Sequence, residues 1–183
     1  MGKIVLFYKY VTIENPQAIL KWQRNICDSL GLKGRVIIAT EGINATLGGQ
    51  DTAIDSYVQQ MSEHPLFDNI DFKYSPGSAN HFPRMRIVIK DEIVHLGLDT
   101  QKITPENGGI HLEPNEVNEL IEKKSKELVI IDCRNQYESA IGTFVGAIKP
   151  PTEYFREFPS YVDNNLDQLK DKEVLMFCTG GVR

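Results

Sequence analysis

The sequence predicts an α/β protein in two parts: an antiparallel α+β sandwich over residues 1–98, then a parallel α/β domain over 112–183. Three observations carry that expectation. Up to about Leu98, short strand-like runs alternate with amphipathic helical stretches. The segment 99–111, polar and broken by Pro105 and Gly108-Gly109, then reads as a linker. Beyond it the apolar runs Leu128–Ile131 and Val174–Phe177 are continuous, the pattern of strands covered on both faces of a parallel sheet.

Taken in order, Lys3–Tyr10 alternates as a strand. Asn15-Pro16 supplies a helix N-cap followed by a proline at the first helical position. Ile19, Trp22, Ile26 and Leu30 then recur at helical spacing until Gly31 ends the run. Arg35–Ala39 and Ile43–Leu47 are strands joined by Thr40-Glu41-Gly42, short enough for a hairpin. Asp51 is expected to cap a second helix carrying Ile54, Val58 and Met61. After Pro65, Ile70, Phe72 and Tyr74 alternate as a strand, and Met85–Ile89 form one more. The order βαββαβ plus a trailing strand is that of a ferredoxin-like sandwich, with two helices on one face of the sheet. In the second part Pro114 opens a helix with Val117, Leu120 and Ile121 on one side. Parallel sheets gather their chemistry at the carboxyl ends of their strands, where Asp132 and Cys178 stand.

Composition narrows the function. A length of 183 residues suits two modest domains, and 41% hydrophobic with 25% charged residues suits a chain folded throughout. No run approaches the ~18 apolar residues of a membrane span, and the first residues lack the apolar core of a signal peptide. A cytoplasmic protein with no membrane partner is expected. Cys27, Cys133 and Cys178 are widely spaced and odd in number, which fits a reducing compartment. His64, His81, His95 and His111 are scattered, so no metal is expected, and no flavin or nucleotide fingerprint points to a cofactor. Residues 1–105 hold 11 Lys+Arg against 11 Asp+Glu, and residues 106–183 hold 9 against 14, so the net −5 lies in the second part. That balance argues against a DNA-binding protein and confines any RNA contact to a local patch.

The chemistry concentrates in Cys178-Thr179-Gly180-Gly181-Val182-Arg183. A thiol attacks as thiolate, and its reference pKa of about 8.5 leaves it mostly protonated at neutral pH. Inward-turned loop amides stabilise the anion, and Gly180 and Gly181 permit that turn. Arg183 adds a positive charge and Thr179 a hydroxyl donor. The plain alternative is a small core cysteine after a buried strand. The Gly-Gly-x-Arg continuation belongs to a tight loop and favours the functional reading. Cysteine phosphatases place five residues between Cys and Arg to cradle a phosphate; here there are four.

That shorter loop resembles the rhodanese family, and so does the first half of this domain. Val129-Ile130-Ile131-Asp132-Cys133-Arg134, Tyr137-Glu138, Ile141-Gly142 and Val145-Gly146-Ala147-Ile148 are similar to the family's strand, Asp-x-Arg and Gly-Ala-Ile run. Cys133 stands where that pattern usually has valine and reads as structural. Asp132 could act as a general base, but the resemblance favours a supporting role for Asp132 and Arg134 beneath the loop. A rhodanese domain continues from this loop into a helix, so the domain is expected to be incomplete, truncated at the active-site loop.

The first part resembles a narrower family. Gly34–Leu47 and Phe82–Val94 are similar to hallmark segments of the bacterial tRNA wobble-uridine hydroxylases, whose loop pattern also matches Cys178–Arg183 and whose Gly-x-His-Leu lead-in matches Gly109–Leu112. The resemblance implies conversion of the wobble uridine of tRNA to 5-hydroxyuridine, with molecular oxygen as co-substrate and the loop cysteine essential. It makes tRNA the partner and the first domain the tRNA-binding part. Members continue past the loop with another cysteine and a cysteine-containing tail. Two alternatives stay open: a sulfurtransferase carrying persulfide on Cys178, and a non-catalytic tRNA- or protein-binding module.

Phosphate contacts need cations, and Lys73, Arg84, Arg86 and Lys90 could form a basic strip. Strand alternation puts Arg84, Arg86, Val88 and Lys90 on one face, opposite Met85, Ile87 and Ile89. An unstacked base would need an aromatic platform such as Phe82 or Tyr74. Arg35, Glu41 and Asn44 flank one turn, where they could read a base or hold the hairpin.

Overall fold

A computed structural model describes residues 2–98, 108–123 and 126–183 of the protein. The chain forms two compact units, Met1–Val94 and His95–Arg183. Residues 99–107 of the expected linker lie outside the described residues, and Gly108–Leu112 carry no regular structure.

The first unit contains β1 (Gly2–Tyr10), α1 (Pro16–Ser29), β2 (Lys33–Ala39), β3 (Gly42–Gln50), α2 (Asp51–Glu63), β4 (Lys73–Gly77) and β5 (Met85–Ile89). Its sheet has the order β4-β1-β3-β2-β5. The β1–β3, β1–β4 and β2–β3 pairs are antiparallel, and the trailing β5 joins β2 in parallel. The expected hairpin closes through Thr40-Glu41, with Ala39 paired to Gly42. Val5, Phe7, Val36, Ile38, Ile43, Ala45 and Leu47 bury one sheet face against Ile19 and Ile26 of α1 and Ile54, Tyr57 and Met61 of α2. This is the ferredoxin-like arrangement that the alternation of apolar residues predicts.

Helix α1 begins as expected, with Asn15 accepting from the Ala18 amide at 3.0 Å. Its buried stripe is different in one respect. Ile19, Gln23, Ile26 and Cys27 are buried, whereas Trp22 and Leu30 are only partly so. Gln23 enters the core because its polar atoms are satisfied there: Tyr57 donates to Gln23 Oε1 at 2.6 Å, and Gln23 Nε2 donates to Met61 Sδ at 3.0 Å. Asp51 is the first residue of α2 rather than its cap. Strand β3 runs directly into the helix through Gln50, whose side chain makes no capping bond. Ile70 and Phe72 precede β4 instead of belonging to it, and both pack onto the core.

The second unit contains α3 (Pro114–Glu122), β6 (Leu128–Asp132), α4 (Gln136–Ser139), a 3-10 turn (Phe155–Glu157), α5 (Phe158–Asn164), α6 (Leu166–Leu169) and β7 (Glu173–Phe177). Strands β6 and β7 pair in parallel, and Ile148 bridges to Ile131 on the other side of β6. Ile131, Cys133, Phe158 and Leu169 form the core of this unit. The expectation of strands covered on both faces holds for the end of β6, where Ile130, Ile131 and Asp132 are buried. It fails for β7, which leaves Val174 38% and Met176 50% exposed because β7 is the edge of a two-stranded sheet.

The Gln23–Tyr57–Met61 set makes a stability test. Tyr57→Phe removes the donor to a fully buried Gln23 oxygen and is expected to cost about 1–3 kcal/mol in urea unfolding. An unchanged midpoint would mean that the buried amide finds another partner.

Candidate active site

The thiol loop is built where two parallel strands end. Asp132 pairs with Phe177 in the last register position of β6 and β7, and Cys178 follows at once. The chain then turns through Gly181, whose φ of 80° lies in the left-handed region open to glycine. The turn directs two amides at the sulfur: the N–H groups of Gly181 and Arg183 donate to Cys178 Sγ at 3.0 and 3.5 Å. These are the donors that stabilise negative charge on sulfur.

Glu138, on the first turn of α4, fixes both ends of the loop. Its Oε1 accepts from the Thr179 hydroxyl at 2.7 Å, and its Oε2 accepts from Arg183 Nη1 at 2.8 Å and from the Asn135 amide at 3.1 Å. Burial would raise the Glu138 carboxyl, but the bonds from Arg183, Thr179 and Asn135 outweigh it and hold the group below the usual carboxylate range. Arg183 also lies over the Phe155 ring, 5.9 Å from its centroid, and reaches the Cys133 carbonyl oxygen at 3.5 Å. Gly180 is buried at the back of the turn, and Val182 is partly buried.

Beneath the loop, Asp132 is fully buried and fully used. Its Oδ1 accepts from the Arg134 amide and Nε at 3.1 and 2.9 Å; its Oδ2 accepts from Arg134 Nη2 at 2.7 Å and the Thr143 hydroxyl at 2.8 Å. Desolvation raises this carboxyl, yet the Arg134 and Thr143 donors carry it below the ordinary value. A carboxylate so occupied is poorly placed to take a proton from substrate. Arg134 further donates to the Gly142 carbonyl and lies 5.5 Å from the Phe177 ring centroid, tying β6, the 142–143 turn and β7 together.

The sequence points to the loop and the Asp132–Arg134 pair; Glu138 enters only through the Tyr137-Glu138 match to the rhodanese pattern, with no role given to it, and Thr143 not at all. A signal for Glu138 is present in Asn135-x-x-Glu138, the spacing of a helix start whose third residue reaches back to the cap amide. Contact with Thr179 and Arg183, about forty residues further on, leaves no local trace.

In the first unit the proposed RNA-binding residues separate. Arg35 and Arg86 are register partners on β2 and β5, both exposed, with Arg84 and Lys90 flanking β5 at the same edge. Lys73 does not complete a strip with them. It pairs with Leu6 of β1 from β4, the opposite edge of the sheet, four strand spacings or about 19 Å from β5. It pairs with Asp71 at 2.9 Å and lies over the Tyr8 ring.

Glu41 and Asn44 are joined without Arg35. Glu41 Oε1 accepts from the Ile93 amide at 2.7 Å and Asn44 Nδ2 donates to the Ile93 carbonyl at 3.0 Å, stapling the buried Ile93 to the hairpin. Burial raises the Glu41 carboxyl, opposed by the Ile93 amide. Arg35 instead faces Thr46 across β2–β3. Tyr74 is register-paired with Val5, whose side chain lies on the helix-covered face, and packs under Lys3, so it does not share a face with Arg35 and Arg86. Phe82 packs over Gly48 on the opposite face: a Cβ at Gly48 would stand 3.2 Å from Phe82 Cδ2.

Among the described residues no group of three His, Cys, Asp or Glu side chains could hold a metal ion, and no helix is long and apolar enough to cross a membrane. A cavity of about 450 Å³ beside α3 and β7 is lined by Leu112, Leu120, Leu128, Val174 and Leu175 together with Glu116, Glu119, Lys123 and Glu173, and holds no cysteine.

Residues 2–93 match the model of the UPF0176 acylphosphatase like domain, half of the chain. The chain belongs to the UPF0176 family. Two curated relatives are named tRNA uridine(34) hydroxylase. The protein from Corynebacterium aurimucosum is 43% identical over 188 residues, taking in 100% of this chain and 61% of that protein. The protein from Corynebacterium glutamicum strain R is 40% identical over 187 residues, taking in 100% of this chain and 60% of that one. The chain therefore spans about three fifths of the length of these relatives. Among solved structures, the acylphosphatase from Bacillus subtilis superposes with a TM-score of 0.39 and 17% identity, over 48% of this chain and 99% of that one. That likeness is too low to carry an argument.

The loop makes its own prediction. Glu138→Gln removes the anion that holds Arg183, and a bond to a charged group is worth about 1.5–3 kcal/mol. The Gly181 and Arg183 amides are then expected to exchange hydrogen at least ~10-fold faster, with the β1–β3 amides unaffected. A second expectation concerns pH. Because Glu138 is lowered on folding, its contribution is present above the unfolded value of about 4.3 and is lost as pH falls through the folded value. The wild-type loop should loosen in acid over that window, while Glu138→Gln should lack that transition.

Proposed function

We propose that the protein hydroxylates the wobble uridine of tRNA to 5-hydroxyuridine with Cys178 as the essential residue; one atom of molecular oxygen enters the base and the other leaves as water, with two electrons and two protons taken from an external two-electron donor. The observation that carries this reading is a thiol facing two loop amides in a chain aligned along its whole length with proteins named tRNA uridine(34) hydroxylase. The second unit is read as rhodanese-like, on its parallel β6–β7 pair and its cysteine loop at the strand ends. In this reading the Gly181 and Arg183 amides orient the Cys178 sulfur, Glu138 positions Arg183 and Thr179, and Asp132 with Arg134 braces the floor. A cytoplasmic location follows from a tRNA substrate.

The first unit supplies the RNA contact through Arg35 and Arg86, supported by Arg84 and Lys90 at the same sheet edge. Glu41 and Asn44 are spent on Ile93 and act structurally. The two amides that face the Cys178 sulfur would also suit a sulfane sulfur there, which keeps sulfur transfer as the second reading.

Nucleosides from cells lacking the gene decide between them. Wobble 5-hydroxyuridine should disappear and return with the wild-type gene but not with Cys178→Ser. Unchanged nucleosides would contradict the hydroxylase reading, and thiocyanate formation from thiosulfate and cyanide would then favour sulfur transfer. For the RNA contact, Arg35→Ala and Arg86→Ala should each weaken tRNA binding and reduce the slope of log K against log salt by about 1. A salt slope equal to wild type would remove those side chains from the interface.

A further inference from the structure

Cys133 is a second thiol that the proposed reaction does not use, and its position relative to Cys178 is fixed by the sheet. Ile131 pairs with Met176 and Asp132 with Phe177. The ladder runs one bond beyond the strands, the Cys133 amide donating to the Phe177 carbonyl at 2.9 Å. Cys133 and Cys178 are therefore the next facing positions on neighbouring parallel segments. Adjacent strands lie about 4.8 Å apart, inside the 4.4–6.8 Å Cα separation of disulfides. Arg183 touches both residues, its amide on Cys178 Sγ and its guanidinium on the Cys133 carbonyl. Both thiols are free in the structure.

Their environments differ in a way that sets an order of reaction. Cys178 is partly exposed under its amides, whereas Cys133 is 4% exposed in the core with Ile131, Phe158 and Leu169. Burial first, and then the neighbouring Cys178, push the Cys133 thiol up to about 12. The core shields Cys133 from solvent oxidants and leaves its neighbour Cys178 as the thiol they meet first. Cys27, also pushed up to about 12 by burial, lies in the first unit.

We infer that Cys133 is a resolving thiol: when a hydroperoxide oxidises Cys178, Cys133 captures it as a reversible Cys133–Cys178 disulfide. In the first step the Cys178 sulfur attacks the terminal peroxide oxygen. An S–O bond forms, the O–O bond breaks, and the alkoxide or hydroxide leaves with a proton as alcohol or water. Sulfur is oxidised by two electrons to sulfenic acid, and the peroxide is reduced. In the second step the Cys133 sulfur attacks the Cys178 sulfur. The S–S bond forms, the S–O bond breaks, and the departing hydroxyl takes the Cys133 proton as water. A dithiol restores both cysteines. Without capture, the sulfenic acid is open to further oxidation to sulfinic acid, which a dithiol does not reverse. The inference holds whichever reaction Cys178 carries out.

The test treats the intact protein with stoichiometric hydrogen peroxide, blocks free thiols under denaturing conditions, and maps cysteine peptides by mass spectrometry. The expected result is a Cys133 peptide joined to a Cys178 peptide, released by dithiothreitol, with the Cys27 peptide alkylated as a free thiol. Cys133→Val and Cys133→Ser should each abolish the joined peptide and raise Cys178 sulfinic acid several-fold. Wild-type protein whose Cys178 becomes sulfinic acid while Cys133 is recovered as free thiol would overturn the inference, independently of how either variant folds.

Discussion

One carboxylate, Glu138, determines the shape of the loop around the Cys178 sulfur. It accepts from the residue that follows the cysteine and from the residue that closes the loop, Thr179 and Arg183. The Gly181 and Arg183 amides point inward because both ends are held to the same group. A partly buried carboxylate is costly unless paired, and this one has three donors. Asp132 repeats the solution one layer below, with all its bonds made to Arg134 and Thr143. The two carboxylates together join β6, α4, the 142–143 turn and the cysteine loop.

Much of the fold is legible in the sequence where periodicity and burial agree. The alternation of Val5 and Phe7, Val36 and Ile38, and Ile43, Ala45 and Leu47 gives the covered face of the first sheet. Legibility fails where a polar residue is buried with a partner from elsewhere. Gln23 replaces Trp22 on the buried stripe only because Tyr57 and Met61 complete its hydrogen bonds. It fails again for order across the sheet. Lys73 and Arg86 look like parts of one strip along the chain, yet the order β4-β1-β3-β2-β5 sends them to opposite edges. In the candidate site, Cys178, Thr179, Gly181 and Arg183 are read from one short run. Glu138 is not, because a contact spanning more than forty residues leaves only its local capping pattern behind.

The two units differ in charge. All of the net negative charge lies in the second part of the sequence, with the cysteine loop. Paired exposed arginines, Arg35 and Arg86, lie on the balanced first part. Glu41 and Asn44, adjacent to that surface in sequence, are withdrawn from it by the Ile93 backbone. The exposed cations left at this sheet edge, Arg35, Arg84, Arg86 and Lys90, form a compact, local group.

This fold presents one thiol, Cys178, to solvent and shields Cys27 and Cys133 in the reduced protein. Iodoacetamide alkylation of the native protein, with each cysteine followed by peptide mass spectrometry, tests it most directly. The account expects Cys178 to be modified at least ~10-fold faster than Cys27 or Cys133, both of which are buried in hydrophobic cores. Equal rates at Cys178 and either buried cysteine would contradict it.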